Sequence, residues 1–128
     1  VPKTAYQYEV GSSASSTTYD AKIGLMYVSD YGFAASPSAW TKTLHSYIGN
    51  DANGTSIKTI NWMYMGYYDW MISRNSDDSY YAFIVTRVGN VHFYDVSHYS
   101  GVRPSFNLLS SITYVSGSGS AVDPILIN

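Results

Sequence analysis

Residues 80–94 read YYAFIVTRVGNVHFY, two apolar runs on either side of a Gly-Asn pair. The runs, residues 80–86 and 91–94, are rich in aromatic and β-branched residues, which favour strands. Gly89-Asn90 between them is a combination typical of tight turns. The pattern therefore predicts an antiparallel β-hairpin.

The predicted hairpin lies within a longer stretch, residues 61–108, that is dense in aromatic and small polar residues. This stretch holds two of the three tryptophans and seven of the fourteen tyrosines, set among Asn, Asp, Ser and His. Tyrosine gives large, stiff contact area, and Ser and Asn add adaptable hydrogen bonds. The composition is typical of a recognition surface, and it lacks most residues that catalysis needs.

Two strands and one loop are predicted near the start of the chain. Weak alternation over residues 1–10 predicts a strand, and residues 11–18, almost entirely Ser, Thr, Gly and Ala, predict a flexible loop. The apolar run 22–29 (KIGLMYVS), which carries Tyr27, predicts a buried strand. Asp30-Tyr31-Gly32 is expected to end this strand.

A helix is predicted over residues 37–47, because Ser36 is a capping residue and Pro37 stands at the first helical position. Its apolar side chains share one face at helical spacing: Trp40, Leu44, and Tyr47 or Ile48. The turn signal Asn53-Gly54 closes this region, and residues 56–64 predict a short extended piece.

Further short strands are predicted at residues 101–108, 112–115 and 124–127, with SGSGS at 116–120 as a turn. Together with the hairpin, these segments predict an α+β fold. It would have short antiparallel strands, one or two short helices and long irregular loops.

The composition predicts one domain over residues 1–128 and excludes several functions. The charged fraction is 12%, about half of the usual ~25%, and the net charge of −2 favours neither nucleic acid nor anionic membranes. The chain has no cysteine, which excludes disulfides, thiolate zinc sites and cysteine nucleophiles. Because it starts at Val1 without an initiator Met, we expect a mature or trimmed piece of a longer chain.

Candidate catalytic and metal-binding residues form no recognisable motif. His45, His92 and His98 lack the spacing of zinc ligands, and no serine lies in a G-x-S-x-G sequence. The adjacent carboxylates Asp77 and Asp78 would point to opposite faces of a strand. Asn75, these two carboxylates and residues 50–54 offer oxygens that suit calcium, but turn chemistry explains them without a metal. We predict no catalytic residue, no metal site and no cofactor.

The large aromatic residues admit two interpretations. Trp40, Trp62 and Trp70 could stack on sugars, but their apolar neighbours favour core packing for all three. Tyr27 is likewise predicted in the core. The tyrosines set among polar residues are predicted to be exposed: Tyr67, Tyr68, Tyr94 and Tyr99.

Four segments together resemble a bacterial family. They are IGLMYVSDYG (23–32), NWMY (61–64), WMISRNS (70–76) and GVRP (101–104), followed by a Gly/Ser turn and a last strand that begins with Pro124. The family is frequent in gut Firmicutes and has a C-type-lectin-like fold, which it shares with formylglycine-generating enzymes. The resemblance covers the chain from about residue 20 to its end.

The resemblance implies a surface-exposed binding head. Some such domains resemble the heads of type IV pilin-like proteins, whose N-terminal helix would precede Val1. Others resemble the variable proteins of diversity-generating retroelements, in which Tyr, Asn, Ser, Asp and His are scattered over a fixed scaffold. The expected location is the bacterial cell surface or a pilus. The expected ligand is a protein or glycan on another cell or on a phage, with pilus subunits as further partners.

The resemblance also divides the stretch before GVRP into two sets of positions. The scaffold positions would be Trp70, Ile72, Ala82, Phe83, Val85, Val91, Val96 and Val102. The ligand-binding positions would be Tyr67, Tyr68, Asp77, Asp78, Thr86, Arg87, Asn90, His92, Tyr94, Ser97, His98 and Tyr99.

The chain departs from related functional groups in two ways. It lacks the cysteine that formylglycine-generating enzymes need, and it lacks the E-P-N, Q-P-D and W-N-D motifs of calcium-dependent sugar-binding lectins. The fold therefore does not imply sugar binding. We expect a non-enzymatic ligand-binding or adhesion module, with a structural pilin subunit as the alternative and an enzyme as a third hypothesis.

Arg103-Pro104 is interpreted as structural. An arginine beside a proline of fixed φ can reach carbonyls or a carboxylate inside irregular loops.

Overall fold

The computed structural model describes residues 1–10, 20–47 and 57–128. It combines short helices with short antiparallel strands, so the chain is α+β, as its sequence predicts. The helical elements are α1 (Pro2–Val10), α2 (Val28–Phe33), α3 (Ile57–Ile60), and 3-10 turns at Pro37–Ala39 and Leu44–Ser46. The strands are β1 (Gly24–Leu25), β2 (Asp69–Arg74), β3 (Tyr81–Val85), β4 (Val91–Asp95), β5 (Pro104–Ser105), β6 (Tyr114–Ser116) and β7 (Leu126–Ile127).

The predicted hairpin is confirmed as β3 and β4, which pair antiparallel with Phe83 opposite Phe93. Gly89 in the connecting turn has a φ of +94°, a conformation that favours glycine. A Cβ there would also lie 2.9 Å from the side chain of Ile57, so the turn needs glycine for two reasons.

Strand β2, which the sequence pattern did not predict, completes a three-stranded antiparallel sheet in the order β2-β3-β4. Its register is regular from Asp69 to Trp70 and irregular between Trp70 and Arg74, where the strand carries extra residues relative to β3. Across this irregularity, successive side chains no longer alternate strictly between the two faces of the sheet. The sequence therefore shows no alternating pattern that would predict a strand here.

The inner face of this sheet forms part of the core. Met71, Val85 and Val91 point to this face, and they belong to one buried cluster with side chains from α2 and the first half of the chain. The predicted scaffold positions divide accordingly. Val85 and Val91 are buried, and Trp70, Ala82 and Phe83 are half-buried. The prediction is wrong for three positions that are exposed, Ile72, Val96 and Val102.

Tyr31 is the central polar residue of the core, with 0% of its surface exposed. Its hydroxyl donates to the carbonyl of Gly89 at 2.7 Å, and its own carbonyl accepts the Asn61 amide at 2.8 Å. These bonds satisfy buried polar groups that would otherwise destabilise the fold. Burial, followed by the neighbouring Tyr64 and Tyr47 hydroxyls, raises the pKa of Tyr31 above its ordinary value.

Residues 1–10, predicted as a strand, form helix α1 instead. Oxygen Oε1 of Glu9 accepts the Ser73 hydroxyl at 2.6 Å and the Ser29 N–H at 3.2 Å. These contacts join α1 to α2 and β2. Because the alternation over residues 1–10 is weak, tertiary contacts decide the conformation.

The strand predicted over residues 22–29 is wrong over most of its length. Only Gly24–Leu25 pairs with β5, and α2 begins at Val28. Asp30, predicted to break the strand, accepts the Tyr27 N–H at 2.9 Å and so supports the helix start. Tyr27 is 44% exposed, so its predicted place in the core is also wrong.

The helix predicted over residues 37–47 is wrong beyond its first turn. The Ser-Pro start is confirmed at Pro37–Ala39, but the chain then forms a second 3-10 turn at Leu44–Ser46. Thr41 and Thr43 between them have low helix propensity. The Tyr47 hydroxyl donates to the Ala39 carbonyl at 2.8 Å across the two turns and so stabilises the tighter arrangement.

The predicted core position is wrong for Trp62. Of the extended piece predicted at residues 56–64, the described residues 57–64 form helix α3 followed by a turn, and this turn leaves Trp62 78% exposed. The core position predicted for Trp40 is also wrong, because Trp40 is 40% exposed. Its Nε1–H donates to the Ala35 carbonyl at 2.8 Å. Trp70 is half-buried.

The C-terminal strands are shorter than predicted. Residues 101–108 contribute only β5, whereas the segments at 112–115 and 124–127 are confirmed as β6 and β7, paired in a separate two-stranded sheet. The loop at 11–18, the Asn53-Gly54 turn and the oxygen-rich segment 50–54 lie outside the described residues. Within the described ranges, no helix is both long and apolar enough to cross a membrane.

Candidate recognition surface

The outer face of the β2-β3-β4 sheet carries aromatic side chains. Cross-strand partners share a face, and the register sets Trp70 opposite Ile84, Ile84 opposite His92, and Ala82 opposite Tyr94. This face is opposite to that of Val85 and Val91, which enter the core. The alternation of β4 therefore turns His92 and Tyr94 away from the main core.

Five rings contact one another here and are called the aromatic cluster: His45, Tyr68, His92, Tyr94 and His98. The ring centroids of Tyr94 and His98 are 4.7 Å apart with planes tilted by 32°. Tyr68 meets Tyr94 edge to face at 6.1 Å, and His92 lies 5.7 Å from Tyr94. These are favourable aromatic geometries, so the cluster is held in one arrangement.

A turn after β4 places His98 over the cluster. Asp95 closes this turn by accepting the Ser97 N–H at 2.8 Å on its carboxylate and the His98 N–H at 2.9 Å on its carbonyl. Hydrogen bonds from the Ser97 hydroxyl and N–H lower the pKa of Asp95 below its ordinary value. The carboxylate therefore stays charged at neutral pH and accepts the Ser97 hydrogen bonds that close the turn.

An open cavity of about 520 Å³ adjoins the cluster. Seven residues line it: Tyr67, Tyr68, Asp69, Tyr99, Ser100, Gly101 and Val102. Tyr67 is 70% and Tyr99 97% exposed, so both phenol rings offer nearly their whole surface to a ligand. Tyr68 belongs to the cavity and to the aromatic cluster, and it joins them into one surface.

Arg103 holds the floor of this cavity in place. Its guanidinium donates to the Asp69 carboxylate at 2.9 Å and to the Met63 carbonyl at 2.6 Å. The structural role predicted for Arg103 is therefore confirmed. A partly buried ion pair of this kind neutralises Asp69, so the cavity presents little net charge.

Gly101 brings the returning chain against β2. Its N–H donates to the Tyr68 carbonyl at 2.7 Å, and its carbonyl accepts the Trp70 N–H at 2.9 Å. A Cβ at this position would lie 2.9 Å from the Asp69 carboxylate and 3.0 Å from the Tyr68 carbonyl. Glycine is needed here for close approach of two backbones.

The remaining predicted binding positions lie in the two turns at opposite ends of β3. Asp77 and Asp78 help to close the β2–β3 turn, where Asp78 accepts the Tyr80 N–H at 2.9 Å. Arg87 is exposed in the β3–β4 turn. No ring contact connects these residues to the aromatic cluster in the part of the chain that is described.

The prediction that Thr86 faces outward is wrong, because Thr86 is buried. Its hydroxyl hydrogen-bonds to the Asn90 side chain, and its N–H donates to the Asn90 carbonyl at 2.9 Å. Asn90 in turn donates to the His45 carbonyl at 3.1 Å. These two residues therefore shape the turn and tie it to the segment that carries His45.

Sequence reasoning missed five residues of this surface: His45, Asp69, Ser100, Gly101 and Val102. His45 was placed in a helix remote from the aromatic stretch, yet its ring lies 5.0 Å from that of His92. Sequence spacing carries no signal for such a contact. Asp69 is the first residue of β2 and pairs with Arg103, which lies 34 residues later in the chain, a contact that only the fold reveals.

A second, smaller cavity of about 340 Å³ lies near Trp62. Phe33, Ser36 and Ile60 also line it. The exposed indole of Trp62 suits stacking against a ligand, the second interpretation that the sequence allows for the tryptophans. This cavity shares no lining residue with the aromatic cluster.

The side chains of this surface offer apolar contact area and hydrogen-bonding groups. Among residues 1–10, 20–47 and 57–128, no histidine side chain is bonded to a carboxylate. In the same ranges no three His, Cys, Asp or Glu side chains converge as metal ligands. What converges is aromatic area with hydroxyl and imidazole groups at its edge.

No protein-family model, curated protein sequence or solved structure matches this chain. A function for it therefore has to be argued from its own side chains.

Proposed function

We propose that this domain is a non-enzymatic ligand-binding module with a C-type-lectin-like fold, and that it acts in adhesion or recognition on a bacterial cell surface. The binding surface would be the aromatic cluster together with the cavity lined by Tyr67 and Tyr99. The ligand would be a protein or glycan on another cell or on a phage.

One observation carries this proposal. Five rings contact each other on the outer face of a sheet whose inner face packs the core, and two further tyrosines beside them are 70% and 97% exposed. Single exposed aromatic residues are common, but a contiguous group of exposed aromatic side chains is typical of an interaction site. Their convergence with His and Ser at one site is the composition of a paratope.

The surface would bind through aromatic anchors held rigid before the ligand arrives. Tyr68 and Tyr94 are already ordered by ring contacts, so they lose little conformational entropy on binding. Tyr67 and Tyr99 are free to close on a ligand in the cavity. Hydroxyl and imidazole groups would then orient the ligand, because they can each donate or accept hydrogen bonds.

The experiment is a screen of the protein against a glycan array and a random peptide library. The test variant carries His92→Ala, Tyr94→Ala and Tyr99→Ala. A matched control carries Tyr6→Ala and Tyr8→Ala, which remove exposed aromatic area from α1 on another part of the molecule. We expect selected ligands to lose at least tenfold in affinity for the test variant, since central aromatic anchors dominate binding energy.

Circular dichroism of each variant shows whether the fold is retained. Unchanged affinity of the folded triple variant for every selected ligand would refute the proposal. Equal loss in the Tyr6/Tyr8 variant would also refute it, because the binding energy would then not reside in the aromatic cluster.

A structural pilin subunit is the second candidate, and the exposed side of α1 favours it. Tyr6, Tyr8 and Val10 are all more than half exposed on this short helix. The coding sequence upstream of Val1 tests this alternative. A prepilin cleavage site and an apolar helix of about 20 residues would support it.

Diversification of the binding surface has its own test in the neighbouring genes. A reverse transcriptase gene with a near-copy of the region for residues 67–108 would support it.

A further inference from the structure

Two histidine rings from distant parts of the chain meet within the aromatic cluster. His45 lies in the 3-10 turn Leu44–Ser46 and His92 in β4, and their ring centroids are 5.0 Å apart with planes tilted by 47°. Imidazole is the commonest protein ligand for transition metals. The sequence predicted no metal site, because residues 45 and 92 are too far apart to form a spacing motif, and only the fold brings the two rings together.

The separation of the two rings suits coordination of one metal ion by both. A bond from Zn²⁺ to an imidazole nitrogen is about 2.0 to 2.1 Å long, and two imidazoles at a roughly tetrahedral angle then have ring centroids about 5 Å apart. The separation of the His45 and His92 centroids is 5.0 Å. A shared ion therefore requires no approach of the two backbones, only an orientation of the rings that points one nitrogen of each at the ion.

The main chain of β4 selects the nitrogen that His92 would offer to a metal. Nδ1 of this ring lies 2.9 Å from both the backbone nitrogen and the carbonyl oxygen of Phe93. With its proton on Nδ1, the ring donates to that carbonyl, and the lone pair of Nε2 is left for a metal. A ligating histidine typically donates its other N–H to a carbonyl or carboxylate in this way. The contact with Phe93 therefore favours coordination through Nε2.

His45 is held beside β4 by its backbone, while its ring stays available. The Asn90 side chain donates to the His45 carbonyl at 3.1 Å, and Asn90 is itself hydrogen-bonded to Thr86 in the same hairpin. Among residues 1–10, 20–47 and 57–128, no hydrogen bond occupies either nitrogen of the His45 ring. His45 is exposed and His92 is half-buried. An ion therefore reaches the pair from solvent without any opening of the fold.

We propose that His45 and His92 together form a binding site for a divalent transition-metal cation of the kind that prefers imidazole ligands, such as Zn²⁺ or Cu²⁺. Ca²⁺ and Mg²⁺ prefer oxygen ligands, so the pair discriminates against them. A tetrahedral ion held by two imidazoles keeps two positions for water or for donor atoms of a bound molecule. The site stands on two side chains and does not depend on which ligand the recognition surface binds.

The test is isothermal titration calorimetry of the full 128-residue chain with zinc chloride near neutral pH. We expect one ion per chain with a dissociation constant of about 1 to 100 μM, since the protein supplies two of the four ligands of a closed zinc site. His45→Gln and His92→Gln should each weaken binding at least about tenfold. The matched control is His98→Gln, which removes the third histidine of the same surface and should leave the constant unchanged.

The choice of cation gives a second readout. Copper sulfate should bind more tightly than zinc chloride, because affinity for nitrogen ligands peaks at Cu²⁺ among the divalent first-row metals. Magnesium chloride should not bind. Binding of magnesium as strong as that of zinc would show attraction to carboxylates and would exclude the histidine site.

Nuclear magnetic resonance tests the geometry without any substitution. The chain has three histidines, so its imidazole signals are few. Zinc chloride should shift the ring signals of His45 and His92 and leave those of His98 nearly in place. Correlation spectra of the ring nitrogens and protons should show zinc on Nε2 of His92 and the proton on Nδ1, as donation to the Phe93 carbonyl requires.

A chain that binds no zinc at millimolar concentration overturns the proposal, and the two rings are then in aromatic contact only. Zinc binding that survives both His45→Gln and His92→Gln also overturns it, since the ion would then be held elsewhere. An equal loss in His98→Gln would show diffuse attraction to the whole surface and would exclude the two-histidine site. If circular dichroism shows that a substituted chain is unfolded, the ring signals of the unsubstituted chain decide the question.

Discussion

The β2-β3-β4 sheet and the β6-β7 sheet are both antiparallel, yet their apolar side chains meet different surroundings. In the first, Ile84 and Val85 are almost completely buried, because one face packs on the core and the other is covered by the aromatic cluster. In the second, every strand residue is exposed. Strand pairing alone therefore does not bury the apolar side chains of this chain. They are buried only where other elements pack on the face of a sheet.

The comparison explains where each sheet can serve function. The three-stranded sheet packs on the core through one face, and a packed support suits the recognition surface proposed on its other face. The two-stranded sheet leaves its apolar side chains exposed. The predictions below test this contrast in order of decreasing effect.

The largest expected effect comes from truncating matched isoleucines in the two sheets. Ile84→Ala should lower the free energy of unfolding by about 3 kcal/mol, because it leaves a cavity in a fully buried site. Ile127→Ala removes the same atoms from an exposed site and should cost less than about 1 kcal/mol. Urea unfolding measures both. Equal costs would contradict the contrast between the sheets.

Breaking the ion pair under the recognition surface should have the next largest effect. Arg103→Ala removes the partner of the Asp69 carboxylate, whose side chain is only 11% exposed, and frees the Met63 carbonyl. We expect a loss of about 2 kcal/mol, discounted for the partial exposure of the pair. Arg87→Ala, at an exposed turn position, is the control. A loss in the control as large as in Arg103→Ala would mean that the pair is not the cause.

The buried hydroxyl of Tyr31 should make stability fall at alkaline pH. Burial raises its folded pKa above the ordinary 10.0. The unfolded chain therefore loses the proton first, so the contribution is fully present below pH 10 and declines as pH rises above it. The slope is about 1.4 kcal/mol per pH unit for one such group. Tyr31→Phe should reduce the slope of unfolding free energy between pH 10 and 11.5 by up to this amount.

Tyr47 contributes to the same slope, since burial raises its pKa as well. The Tyr31→Phe variant therefore keeps part of the alkaline loss. Tyr114→Phe, which removes the hydroxyl of an exposed tyrosine in the β6-β7 sheet, is the matched control substitution. An unchanged slope in Tyr31→Phe would show that its hydroxyl titrates normally.

The smallest effect is expected at the edge of the cavity. Tyr99 is 97% exposed, so Tyr99→Ala should change the free energy of unfolding by less than about 0.5 kcal/mol. Thermal unfolding at pH 7 measures this. A larger loss would mean that Tyr99 belongs to the scaffold, and its part in ligand binding would have to be reassigned.

Several local features could be predicted because their signals lie within a few residues. The β3–β4 hairpin follows from two aromatic and β-branched runs around Gly89, and the start of the 3-10 turn at Pro37 follows from the fixed φ of proline. The same holds for the Gly/Ser turn before β7. The structural role of Arg103 was also predictable, since Pro104 fixes the backbone beside a long cation that needs partners.

Other features could not be predicted because they depend on distant partners. Residues 1–10 become helix α1 through Glu9, which reaches Ser73 sixty-four positions away. Trp62 is exposed although its neighbours are apolar, since α3 turns it away from the core. His45 joins His92 only because a 3-10 turn packs on β4.

The sequence by itself determined the class of fold, the position of the β3–β4 hairpin, and the aromatic and weakly charged composition of the segment that carries the candidate recognition surface.

 These properties reside in composition and in short-range periodicity, which each segment carries wherever it lies. The tertiary structure alone decided which aromatic rings meet, which carboxylate Arg103 pairs with, and which strands stay uncovered. Contacts between residues far apart in the chain depend on how all segments pack at once, and no local pattern records that outcome.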